Sequence, residues 1–200
     1  MNRPPDTTES STPALRNMLP HIYTSLCKTR LHLTAYREAT ASPGQVAPQD
    51  VPDTDCYDFA ADRDETDGML ETSRQILEQL EQHRSTYYPD SAAFGETATG
   101  TSLALAGRSP RLHHTNEAAA WILVAEEVSL AYAEGLPEDS PAWAHAWRLA
   151  DDIYALLATF HRHACENTLS HGVHYEAYLA SRAHLDAMNP LYTDISAARK

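Results

Sequence analysis

From Met69 to Tyr87 the apolar side chains return every three or four residues. Met69, Leu70, Ile76, Leu77, Leu80 and Tyr87 share one stripe with Ser73 and Arg84, while Glu71, Arg74, Glu78 and Glu81 fall mostly outside it. That period is the signature of an α-helix with one face to bury. A lone helix cannot bury such a face, so the chain must supply partners. It does so repeatedly. Leu15, Leu19, Ile22, Leu26 and Leu33 keep steps of three, four and seven in a first helix that a cap at Ser11-Thr12-Pro13 would open. Pro20 lies inside that run, so the helix kinks there or starts there.

Thr115, followed by Asn116 and Glu117, is placed to open a third helix. Its inward face carries Trp121, Val124, Ala125, Val128, Ala131 and Tyr132, broadened by Ile122, Leu123 and Leu130. Gly135-Leu136-Pro137 is a stop signal, and Ser140-Pro141 opens a fourth helix. Trp143, Trp147, Ala150, Ile153, Tyr154, Leu157, Phe160, His161 and Ala164 repeat along that helix. With about five residues between them, the third and fourth helices are expected to run antiparallel. A fifth, from about Gly172 to Met188, passes through Tyr175, Tyr178, Leu179, Arg182 and Leu185 and stops before Pro190. The predicted fold class is all-α: a bundle of four to five antiparallel helices.

The 200 residues divide, within one domain, into a mobile tail over 1–12, the first helix over 13–41, an acidic linker over 42–67, the main bundle over 68–190 and a C-terminal tail over 191–200. The disordered N-terminal tail is polar. The linker carries three prolines and eight acids against the single Arg63. It is no EF-hand: with Gly68 at the sixth loop position, the first falls on Arg63, where calcium requires an acid. Residues 90–114 read as irregular, with a short helix over Thr101–Ala106, and His113-His114 as exposed loop or, alternatively, the lining of a pocket mouth.

The net charge is −13, and Lys28 and Lys200 are the only lysines. Such a surface repels phosphate backbones and anionic lipids, so neither nucleic acid nor membrane is an expected partner. Arg16, Lys28, Arg30 and Arg37 against Glu38 alone make the first helix basic, suited to packing beside the acidic remainder of its own chain. No apolar leader and no run of eighteen apolar residues occurs, and Cys27, Cys56 and Cys165 form no CxxC pair. Reduced thiols in a cytoplasmic setting are the expectation.

Chemistry concentrates in FHRHACENTLSHGVHYE, Phe160–Glu176, with four histidines, a cysteine and two glutamates. On a helix His161 and Cys165 share a face, whereas His163 points the other way. His171 and His174 would share a face of the next helix. His161, Cys165, His171 and His174 therefore form a candidate zinc shell, with Glu166 and Glu176 as outer partners for the imidazoles. The competing view is that histidines in a last helical turn simply complement its dipole. A di-iron bundle needs Glu-x-x-His pairs; this chain has only the reversed His114-x-x-Glu117 and His163-x-x-Glu166. Asp151-Asp152 lacks a third aspartate, having Ala155 instead, and no GxSxG, P-loop or GxGxxG occurs.

The expected function is that of a small non-catalytic helical protein, a regulatory or interaction module that binds a protein partner or a second copy of itself. The alternative is a bundle that binds metal or a small ligand at the turn between the fourth and fifth helices.

Overall fold

The computed structural model describes residues 15–40, 59–95 and 110–167, and among them it is all-helical, without strands. Four helices make it up: α1 (Leu19–Thr40), α2 (Phe59–Tyr87), α3 (Pro110–Gly135) and α4 (Trp143–Asn167). None of the described helices is long and apolar enough to cross a membrane. The proposed fifth helix, the tails and the 101–106 segment lie outside the described residues.

Pro20 sits in the first turn of α1, where a missing N–H costs nothing, and residues 15–16 ahead of it are helical up to a break at 17–18. A turn precedes it, closed by the Met18 N–H donating to the Leu15 carbonyl at 3.0 Å. Gly135 is the last residue of α3, and a Cβ there would collide with the Leu15 side chain, so the bare backbone makes room for it. Ser140 opens α4, its carbonyl accepting from the Trp143 N–H at 3.0 Å and its Oγ from the Ala142 N–H at 3.3 Å.

Two helices begin earlier than their apolar stripes. α2 starts at Phe59, inside the stretch taken for linker, and α3 starts at Pro110, ahead of the Thr115 cap. Thr115 is instead buried within the helix. The inward positions of the first turns of α2 are Asp62 and Thr66, both buried, ahead of Met69 and Ser73. The helical period is unbroken there; only the residue chemistry changes.

Each helix packs on two neighbours: α1 on α3 and α2, and α4 on α3 and α2. Along α1 and α3 the meeting positions are His32 with His114, Lys28 with Trp121 and Leu15 with Gly135. Along α2 and α4 they are Asp62 with His163 and His83 with His145. In both pairs the numbers climb on one helix as they descend on the other. The core between them holds Leu19, Ile22, Leu26 and Leu33 of α1, Met69, Ile76 and Leu80 of α2, Ile122, Val124 and Val128 of α3, and Ile153, Leu156 and Phe160 of α4. The basic first helix does meet acids of its own chain, with Arg37 Nε 2.7 Å from Asp67 Oδ1.

Candidate metal centre

At one end of the bundle, formed by the later half of α1, the first turns of α2 and α3 and the last turns of α4, the inward stripes turn polar. On α1 the buried positions run Ser25, Thr29, His32 and Tyr36, still at steps of three and four. Thr29 Oγ1 donates to the Ser25 carbonyl at 3.0 Å, which satisfies the hydroxyl inside its own helix. His32 faces α3.

There it meets His113 and His114, consecutive residues in the first turns of α3. His32 Nδ1 lies 3.2 Å from His114 Nδ1. The rings of His113 and His114 are 5.1 Å apart, and those of His32 and His113 6.1 Å. One nitrogen from each of the three imidazoles falls within 4.8 Å of the others. Two nitrogens bound at about 2.0–2.1 Å to a tetrahedral ion stand about 3.3 Å apart, close to the His32–His114 separation. Burial, with a smaller effect from neighbouring His113, lowers the pKa of His114 against the opposing pull of Glu38. A lowered pKa favours the neutral imidazole, which is the form that ligates.

Beside these three sits a second constellation. The Tyr36 hydroxyl donates to both oxygens of Asp62, at 2.9 and 3.1 Å. Asp62 Oδ1 in turn lies 2.8 Å from His163 Nε2, and His163 Nδ1 is 2.6 Å from Glu65 Oε2. Burial works against a proton on His163 and is the largest single influence, but the two carboxylates together outweigh it and raise its pKa. The two carboxylates thus favour the protonated imidazole, the form that ligates poorly. A cavity of about 10 Å³, lined by Leu33, Tyr36, His114, Thr115, Phe160 and His163, joins the two constellations. It has the volume of roughly one water.

The opposite end holds a third polar group. His83 Nε2 and the Tyr132 hydroxyl are 2.7 Å apart, and the Tyr132 and Tyr88 hydroxyls 2.9 Å. A recess of about 500 Å³ opens nearby between Leu15, Tyr87, Tyr88, Leu136, Pro137 and Ser140. Asp139 is the one charged residue among its described lining, and no imidazole reaches it.

Of the residues singled out from sequence, His161 is a partly buried residue of α4. Cys165 falls within the same helix with its side chain outside the description, and His171 and His174 lie outside the described residues. His163 does turn away from His161, but into the protein, where it is 3% exposed. The expectation of an exposed loop at His113-His114 is corrected: both are helical, and His113 is buried. His32 was passed over because the apolar count jumps from Leu26 to Leu33, and that seven-residue step hides Thr29 and the histidine beside it. Comparison of the chain with protein-family models, curated proteins and solved structures returns no match.

Proposed function

We propose that this protein is a helical bundle that binds one divalent first-row transition-metal ion between α1 and α3 through His32, His113 and His114. The observation that carries it is the convergence of three imidazole nitrogens within 4.8 Å from residues 82 positions apart in the chain. Imidazole is borderline in softness and suits zinc, iron, cobalt and nickel, whereas calcium and magnesium prefer oxygen. An ion held this way ties the first helix to the third, so its binding free energy adds to the stability of the bundle.

The wide apolar stripe of α3, which suggested a protein partner or a second copy, is partly used inside the bundle: Ile122, Val124, Ala125, Val128 and Tyr132 are buried, while Trp121, Leu123, Leu130 and Ala131 are half-buried. Among the described residues the exposed large hydrophobics are Leu31 and Tyr154, at 38% and 61%. That leaves metal binding as the function with the more specific support.

Protein purified without a histidine tag is loaded with Zn²⁺, desalted and analysed for metal. One ion per chain is expected, lost in a His32→Ala, His114→Ala double variant. At a zinc concentration near 100 times Kd, the melting temperature should rise by roughly 5–10 °C. Retention of the ion in that double variant, together with its loss in a His161→Ala, His174→Ala pair, would move the site to the turn first suspected from sequence. No bound ion in the wild type would end the proposal.

A further inference from the structure

We infer that Glu117 is the fourth protein ligand of the ion, which closes its coordination shell; this rests on the three-histidine reading above. Glu117 lies three residues beyond His114 and four beyond His113, so it shares their face of α3. Two contacts fix what that face meets. His114 touches His32 of α1, and Trp121 lies under the Lys28 ammonium, 3.9 Å from the ring centroid. Glu117 stands between His114 and Trp121 on the same stripe, and therefore opposite α1 between His32 and Lys28. Helical side chains lean toward the N-terminus of their helix, which carries this carboxylate back along the seam toward His114.

The state of that carboxylate is the second observation. Its Oε2 is buried and accepts no hydrogen bond among the described residues. A buried carboxylate oxygen without a donor is costly, and a cation on the adjoining imidazoles would supply its missing partner. As the side chains stand, the carboxylate is outside the group of three converging nitrogens, so ligation turns the side chain about its own flexible bonds. Three histidines and one carboxylate fill four positions, the number a structural zinc site uses, whereas a catalytic site keeps one position for water or substrate. The site is then a staple between α1 and α3.

The test uses the full-length chain with Co²⁺ as a spectroscopic probe and Zn²⁺ competition for affinity. Wild-type protein should give the intense visible absorption of four-coordinate cobalt. Glu117→Gln should shift and weaken that spectrum and lower zinc affinity by at least the roughly 10- to 100-fold that loss of an outer-shell partner costs, and Glu117→His should restore tight binding. Circular dichroism identifies any variant that has failed to fold, and Glu117→Asp then takes its place with the same expected spectral change. An unaltered spectrum and affinity in Glu117→Gln, with binding still abolished by His32→Ala, overturns the fourth ligand and leaves the three-histidine site standing. Unaltered binding in His32→Ala and His114→Ala overturns both.

Discussion

His83 and His163 are nearly equally buried, at 1% and 3% exposure, at opposite ends of one bundle. Their pKa values are displaced in opposite directions. His83 meets a phenol, Tyr132, with His145 nearby; burial first, then the neighbouring imidazole, push its pKa down to about 4. His163 meets Asp62 and Glu65, which hold its proton despite the burial. Desolvation alone would make both neutral. Partner chemistry decides, and the sequence neighbours of a histidine say little about it, because Asp62 and Glu65 lie on a different helix from His163.

The strongest way to break this contrast is to remove Asp62. Its side chain is fully buried and holds both Tyr36 and His163, so Asp62→Ala removes a buried carboxylate from both of them. Urea denaturation at pH 7 should show a loss of about 3–5 kcal/mol. A loss under about 1 kcal/mol would mean that His163 is neutral in the native protein and that the two ends do not differ.

Acid sharpens the comparison next. The folded pKa of His83 is below its ordinary 6.5, so the unfolded chain takes up its proton first, and stability present above pH 6.5 is lost as pH falls toward 4. Across that window the contribution is at most about 3 kcal/mol. His163 has the opposite sign. Its contribution is complete below pH 6.5 and is lost as pH rises through its raised folded pKa. Among the described residues Asp62, Glu65 and Tyr36 face His163, and His114 of α3 lines the same cavity. Denaturation midpoints measured from pH 4 to 9 should therefore fall on both sides, with His83→Gln flattening the acid limb and His163→Gln the alkaline one. The same limb flattened by both variants would break the assignment.

The smallest of the three effects is expected from Tyr132→Phe. It deletes one oxygen from the chain of Tyr88, Tyr132 and His83 and leaves the ring in place. About 2 kcal/mol should be lost, the scale of a buried imidazole left without a partner. The acid limb should also move, because His83 then has fewer neighbours to hydrogen-bond. If it stays where it was, the phenol has no part in setting the state of His83.

The four helices were legible because their apolar residues keep period. Leu15, Leu19, Ile22, Leu26 and Leu33 are all buried as the spacing predicts, and so are Met69, Ile76, Leu77 and Leu80. The polar end was not legible for the same reason. Asp62 and Thr66 continue the α2 stripe in register with Met69 and Ser73, but a count of apolar residues stops at Met69 and assigns the acids to a linker. Ser25, Thr29, His32 and Tyr36 do the same on α1. A count by register instead of hydropathy would have carried both stripes to the site. The pairing of His32 with His113 and His114 needed the packing of α1 on α3, which no local spacing specifies. The four-residue set around His161 rests on closeness in sequence, and His171 and His174 lie outside the described residues.

The distances along the chain that separate these partners bear on the order of folding. His32 reaches His114 across 82 positions, and His163 reaches Glu65 across 98. Each such link closes a long loop whose entropy has to be lost before the contact returns anything. The aliphatic core and the polar end alike are complete only once all four helices have docked. Changes at Asp62 or His163 are expected to accelerate unfolding more than they slow refolding, which stopped-flow kinetics would show.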